Sequence, residues 1–205
     1  MYRNYVKRII DVIVSFITLP LFFLLCIPIG IMIKLDDSGP VFYAGKRLGK
    51  GLKEFPMLKF RTMKVNAPDI RNEDGSTFNS DDDPRLTKIG KLLRKTSLDE
   101  IPQIVNVLKG DMSLVGPRPS PLGNRNKYSK EYLRKFEVKP GITGYNQATL
   151  RNSSTQQQRE TNDLYYVDNL GFGLDLKIIG MTISMVLTAR SINRNSSGVS
   201  DTQKL

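Results

Sequence analysis

VIVSFITLPLFFLLCIPIGIMI, Val12–Ile33, runs for 22 residues without a charge. As a straight helix this stretch is about 33 Å long, enough to cross a hydrocarbon core of about 30 Å. No small-residue A-x-A site follows it, and the run is long for a signal peptide, so cleavage is not expected. Arg3, Lys7 and Arg8 stand just before it and favour a cytoplasmic N-terminal end. A simple span would then export everything after Lys34. Pro20 and Pro28 offer an alternative, because each removes a backbone hydrogen bond and can kink the helix. A helix broken inside the membrane enters and leaves by the same face, with Ser15 or Thr18 helping to satisfy the freed carbonyls. On the residues alone, a spanning anchor and a re-entrant helix both stand.

The rest of the chain argues for the cytoplasm. The chain has 205 residues, a length that suits one domain. It carries 31 Lys and Arg against 20 Asp and Glu, a net charge of +11 that seeks anions. Nucleic acid, phosphorylated small molecules and acidic membranes all qualify on charge. No recognised nucleic-acid motif is visible, and stacking aromatics are not interleaved with the basic residues, so nucleic acid is not expected as a partner. There is no histidine, which removes imidazole general bases, Ser-His and Cys-His catalysis and nearly all zinc chemistry. The only cysteine, Cys26, lies in the apolar run, so disulfides and thiolate clusters are excluded too. Catalysis must rest on carboxylates, Lys, Arg, hydroxyls or a hard metal ion.

Beyond Asp36-Asp37-Ser38-Gly39-Pro40, VFYAGKRLGKGLKEFPMLKFRTM reads as two short strands joined by a Gly-Lys-rich turn. Val65 to Pro84 is a polar, acidic surface loop. Asp81, Asp82 and Asp83 lack EF-hand spacing and read as solvated, with Pro84 opening the next helix. From Arg85 to Lys95, Leu86, Ile89, Leu92 and Leu93 recur among basic residues, an amphipathic helix with a cationic face. Ile101, Ile104, Val105 and Leu108 form another apolar helical repeat, closed by Gly110. A basic, irregular region follows Pro119. DLKIIGMTISMVLTAR predicts a helix that packs on the core or lies on the membrane. The expected class is α+β, mostly helical. Residues 1–35 form the membrane helix, 36–190 a single membrane-associated catalytic domain with interfacial amphipathic helices, and 191–205 a disordered polar tail.

Between the two predicted helices lies SLDEIPQIVNVLKGDMSLVGPRP, Ser97–Pro119. Ser97-Leu98-Asp99-Glu100 fits the capping box S-x-x-E, while a start at Asp99 places Pro102 in the first turn, where its missing N–H costs little. In both readings the acids sit at the positive end of a helix dipole, which favours their ionised forms. Capping alone explains such a pair. So does an active site: an ionised Asp can attack phosphorus, and phosphoryl transfer otherwise needs only positioning and charge neutralisation. Candidate cations are Lys46, Arg47, Lys59, Arg61, Arg94, Lys95 and Arg118, whose flanking prolines restrict the backbone beneath its guanidinium fork.

These residues resemble the monotopic phosphoglycosyl transferases, bacterial enzymes that start capsule, O-antigen and other glycan assembly on a polyprenyl carrier. The likeness runs through YVKRIID, SGPVFYAGKRLG, KFRTM, DPRLTKIGKLLRKTSLDEIPQIVNVLKGDMSLVGPRP, KPGITGYNQ, DLYYVDN and LDLKI. It implies that a UDP-sugar gives its phosphosugar to Asp99, releasing UMP, and that undecaprenyl phosphate then takes it. It further implies magnesium held with the help of Glu100, and phosphate contacts from Arg118, with Lys59, Arg61 and Arg94 as further candidates. Gln147, Arg151 and Asn152 match the motif after PGITG, whereas Asn146, Ala148 and Leu150 depart from it. Asp163 matches an acid before the Tyr-rich segment. A re-entrant helix on the cytoplasmic face of the bacterial inner membrane is implied as well, although the family's mid-helix Ser-Pro is replaced here by Phe23-Leu24. A homodimer is left open. The competing reading is a non-catalytic, membrane-anchored basic domain that binds anionic lipid or a partner enzyme.

Overall fold

The absence of any charge between Asp11 and Lys34 lets the apolar run form one helix, α1 (Lys7–Asp36), entered through a wide turn at Tyr2–Val6. The computed structural model describes residues 1–70, 78, 80, 83–150 and 154–187. The expected tail therefore lies outside the described residues, as do most of the acidic loop, Arg151 and Asn152. By length and composition α1 is able to cross a membrane. Its helical backbone continues through Pro20 and Pro28. The expected rescue of carbonyls by nearby hydroxyls takes another form. Thr18 Oγ1 donates to Val14 O at 2.9 Å and Ser15 O at 3.1 Å, rather than to the Phe16 carbonyl whose partner Pro20 removes, while the buried Ser15 hydroxyl has no partner among the described residues.

Asp11, Ser15, Phe22, Ile29 and Ile33 are the buried residues of α1, at spacings that keep them on one side. Phe22, Ile29 and Ile33 pack with Phe60, Leu93 and Ile104. Ile13, Phe16, Ile17, Leu21, Leu24 and Ile27 are exposed. Both ends of the helix are tied to the same folded domain. At the N-terminal end Lys7 Nζ meets Asp175 at 2.6 Å, Arg8 donates to Val107 O and Leu108 O, and Asp11 accepts from Ser113 Oγ and the Leu114 amide. At the C-terminal end Asp36 accepts from the Ile89 amide at 2.7 Å, and Asp37 accepts from Arg61.

The predicted hairpin is present as β1 (Phe42–Leu48) and β2 (Glu54–Phe60), antiparallel with Tyr43 opposite Lys59. The turn between them, Lys50–Leu52, needs a positive φ of 65° at Gly51. Three further short strands complete two small sheets: β3 (Ser113–Val115), β4 (Ser120–Pro121) and β5 (Gly141–Thr143). One sheet has the order β2-β1-β4, and the other pairs β3 with β5 in parallel. The helices are α2 (Lys88–Thr96), α3 (Gln103–Lys109), α4 (Tyr145–Leu150), α5 (Gln156–Asp168) and α6 (Phe172–Leu187). Mostly helical α+β is the observed class.

Two details of the loop before α2 differ from expectation. Asp83 is buried rather than solvated, because Arg85 forks onto its carboxylate and, outweighing burial, holds it below the usual range. Pro84 lies in a turn, and α2 begins only at Lys88, where the Thr87 hydroxyl accepts from the Gly90 amide at 2.9 Å. Gly90 also sets how closely α2 approaches the end of β2: a Cβ there would lie 1.9 Å from Thr62 O. That neighbour is backbone and cannot swing aside. Gly90→Ala is therefore expected to destabilise the fold by about 1–3 kcal/mol, measured by thermal unfolding, despite alanine's higher helix propensity.

Candidate active site

Ser97 ends α2 in a left-handed conformation (φ 59°), and the chain turns through a single 3-10 turn, Leu98–Glu100, before α3. Ser97 makes no side-chain cap, so the capping box does not form. The turn presents both acids to the hairpin instead. Lys59 Nζ, reaching from β2, lies 2.7 Å from Glu100 Oε1 and 3.4 Å from Asp99 Oδ2. Arg118, from the segment between β3 and β4, brings Nη2 to 3.1 Å from the same Glu100 Oε1. Residues distant in sequence thus meet at one pair of carboxylates.

Their electrostatics differ. Burial pushes the Asp99 carboxyl above its ordinary range and neighbouring Glu100 adds to this, while Lys59 and Arg94 pull the other way. Burial acts upward on Glu100 too, but Arg118 and then Lys59 outweigh it and bring the carboxyl down to about 2. The expectation that the helix dipole would favour ionisation of both is corrected for Asp99: it is only 7% exposed, and the loss of water dominates. The arrangement yields one firmly ionised carboxylate, clamped by two cations, beside a desolvated carboxylate of higher basicity. Because both cations use Oε1, Glu100 Oε2 has no hydrogen bond among the described residues, nor has Asp99 Oδ1.

The other candidates divide. Arg94 Nε donates to Thr62 Oγ1 at 3.0 Å and lies close enough to Asp99 to lower its pKa. Arg61 makes no contact with the carboxylate pair. Its buried guanidinium is used by the Asp37 carboxylate and by the Pro40 and Met63 carbonyls, where it fixes the end of α1 to β2. Lys46 points to Glu54 at 3.8 Å and is exposed. Asp163 is 2% exposed and bonded to Tyr132 Oη at 2.8 Å and Lys135 Nζ at 2.9 Å. The Gln147 amide nitrogen and oxygen are buried in α4 without a partner among the described residues, and make no bond to the carboxylate pair. Asn146, one of the departures from the family motif, bridges Asn162 and Ser154.

Reasoning from sequence missed Lys135, Asp11 and Asp175, whose roles depend on partners 28 to 173 residues away. No spacing signal marks them. Asp175 joins Tyr2, Lys7 and Tyr166, and so locks α6 to the start of α1.

Comparison with known proteins bears on the chain as a whole. The chain is similar to an uncharacterized sugar transferase, EpsL, of Bacillus subtilis: 40% identical over 195 residues, covering 93% of this chain and 91% of that protein. It is 37% identical over 190 residues to the UDP-N-acetylgalactosamine-undecaprenyl-phosphate N-acetylgalactosaminephosphotransferase of Aeromonas hydrophila, spanning 90% of this chain but only 44% of the relative. Against the UDP-glucose:undecaprenyl-phosphate glucose-1-phosphate transferase of Caulobacter vibrioides, identity is 35% over 192 residues, 89% of this chain and 70% of the relative. The family model for bacterial sugar transferases matches residues 2–189, from the turn before α1 past the end of α6, and the chain belongs to that family.

Proposed function

We propose that this protein is a phosphoglycosyl transferase, moving a phosphosugar from a UDP-sugar to undecaprenyl phosphate and so initiating a glycan, capsule or O-antigen. The observation that carries the reading is the convergence of Lys59 and Arg118 on Glu100 beside the desolvated Asp99. Asp99 is the nucleophile. Its carboxylate attacks the phosphorus that bears the sugar, the bond to the UMP oxygen breaks, and an aspartyl-phosphosugar forms. A phosphate oxygen of undecaprenyl phosphate then attacks the same phosphorus, and Asp99 leaves as carboxylate. Burial supports the first step by removing water from the attacking oxygen, and Lys59 opposes the protonation that burial favours. Arg118, half-exposed at 51%, is placed to meet incoming phosphate oxygens.

Magnesium suits this donor set in a limited sense. Among the described residues no cluster of three His, Cys, Asp or Glu side chains forms a cage. Magnesium, however, is commonly held by one or two carboxylates together with substrate phosphates, and Glu100 Oε2 and Asp99 Oδ1 are the oxygens left without hydrogen bonds. When bound, the ion supplies charge neutralisation for the diphosphate. Glu100 would be the residue that holds it.

Membrane attachment follows the same reading. Polar groups at both ends of α1 bind one folded domain, which supports a re-entrant helix on the cytoplasmic face of the inner membrane over a span that would separate the ends. Exposed Phe172, Leu176, Ile183 and Val186 on α6 support an interfacial placement of that helix.

The test is UMP release by the purified protein across a panel of UDP-sugars, with and without undecaprenyl phosphate. Lipid-dependent turnover on one sugar is the expected result; silence across the panel from folded protein turns the reading towards an anchored binding domain. Arg118→Ala is expected to lower kcat/KM by roughly 10²-fold, with Arg118→Lys recovering part, since lysine keeps the charge but not the fork.

A further inference from the structure

At the end of α3 remote from Asp99 and Glu100, two cations share a site that the transfer chemistry does not use. Gly110 closes α3 with φ 93°, and a Cβ built on it would lie 3.4 Å from both Arg8 Nη2 and Lys139 Nζ. The two nitrogens are therefore within about 7 Å of each other. Among the described residues neither side chain forms an ion pair with a carboxylate. Arg8 is partly satisfied by Val107 O and Leu108 O, the last carbonyls of α3, at 2.5 and 2.8 Å. Lys139 has no hydrogen-bond partner among the described residues.

The nearby acids are engaged elsewhere: Asp11 accepts from Ser113 and Leu114, and Asp111 from Asn106. Lys50 adds further positive charge. Burial, then Arg8, lowers the affinity of Lys139 for its proton, with Lys50 contributing and Asp11 and Asp111 only partly opposing. Two half-buried cations held within about 7 Å of each other, with no carboxylate among the described residues in contact with either, repel, and both are close enough to reach one phosphate. Nitrogens that each donate to a different oxygen of one phosphate, at about 2.8 Å, lie roughly 5–7 Å apart.

The position specifies the ligand further. Arg8 stands in the first turn of α1, and Ile9, Ile13 and Phe16 just beyond it are 57%, 51% and 72% exposed. An apolar face that begins there puts the cations at the level where lipid headgroups meet hydrocarbon. α3 has seven residues, so its length of about 10 Å separates this site from the carboxylate pair.

We propose that Arg8 and Lys139 form a phosphate-binding site that holds the headgroup of an anionic phospholipid and anchors the start of α1 at the membrane surface. The same chemistry would accept inorganic phosphate, and the test separates the two. Thermal unfolding is measured for the full chain in nanodiscs of phosphatidylcholine alone, of phosphatidylcholine with phosphatidylglycerol, and of phosphatidylcholine with added inorganic phosphate. Lys139→Gln is compared with the wild type, and Lys130→Gln, at an exposed position, serves as the control for bulk charge.

Phosphatidylglycerol is expected to raise the wild-type Tm. Lys139→Gln should lose more than half of that rise while Lys130→Gln keeps it. In phosphatidylcholine alone, Lys139→Gln should unfold at or above the wild-type temperature, because a like-charge contact has been removed. A rise with inorganic phosphate but none with phosphatidylglycerol, absent in Lys139→Gln, would keep the phosphate site and overturn the lipid as its occupant. The proposal is overturned if Lys139→Gln retains the full lipid-dependent rise, if the control loses as much, if neither anion affects the wild type, or if Lys139→Gln is less stable in phosphatidylcholine. The readout is unfolding, so failure of the transferase reading leaves this result unaffected.

Discussion

Asp99→Asn is expected to abolish lipid-dependent UMP release, by on the order of 10³-fold or more, with little loss of stability. The two halves of that expectation come from the same burial. Asp99 is 7% exposed, and desolvation and Glu100 already disfavour its charge. An amide of the same shape removes that cost and relieves the contact with Glu100. It also gives up one ion-pair contact with Lys59, at 3.4 Å, but Lys59 keeps its closer partner, Glu100 Oε1, at 2.7 Å. Chemically the amide is a poor nucleophile, so no covalent phosphosugar forms. Incubation with UDP-sugar in the absence of undecaprenyl phosphate, followed by intact-mass measurement, should show a phosphosugar-sized increase in the wild type and none in Asp99→Asn. Residual adduct of the same mass in the variant would move the nucleophile elsewhere. Loss of the cooperative unfolding transition would mean that Asp99 is structural.

Local chemistry made part of this site legible. The acid pair between two apolar helical repeats, the Gly-Lys turn joining two strands and the proline-braced Arg118 are features of a few consecutive residues, and each is where local rules place it. What local rules could not provide was the choice of partner. Arg61 and Lys59 stand two residues apart on KFRTM and were equal candidates, yet Lys59 faces the carboxylates while Arg61 turns to Asp37 at the end of α1. Alternation alone would put residues two apart on one face; the division arises because β2 ends at Phe60 and Arg61, just past it, meets the end of α1, which is non-local information. Likewise the capping box was locally plausible but lost to a left-handed Ser97, because the turn must present both acids to the hairpin. Asp83 shows the same competition: three adjacent acids read as solvated, but Arg85 two residues later supplies a buried partner for the last of them.

Lys135→Met is expected to be among the most destabilising single changes in the soluble domain, costing about 3–5 kcal/mol. Lys135 is 5% exposed and holds Asp163, 2% exposed, at 2.9 Å, while Tyr132 donates to the same Asp163 oxygen. The pair ties the segment Tyr132–Glu137 to α5, and the Lys135 charge also lies 4.7 Å from the Tyr132 ring centroid. Methionine fills similar space but leaves Asp163 charged and buried beside a single hydroxyl. Thermal or urea unfolding measures the loss. Lys135→Met combined with Asp163→Leu should be more stable than Lys135→Met alone, because the orphaned charge has gone; if the double variant is worse, the cost lies in packing and not in the unpaired carboxylate. An effect on function accompanies it. Lys135, Phe136 and Val138 line a cavity of ≈ 10 Å³ together with Pro117 and Arg118, so Lys135 lies beside the turn that carries the guanidinium meeting Glu100. The double variant is therefore expected to recover stability more fully than kcat/KM, with the remaining deficit reporting how far Arg118 depends on Lys135 for its position.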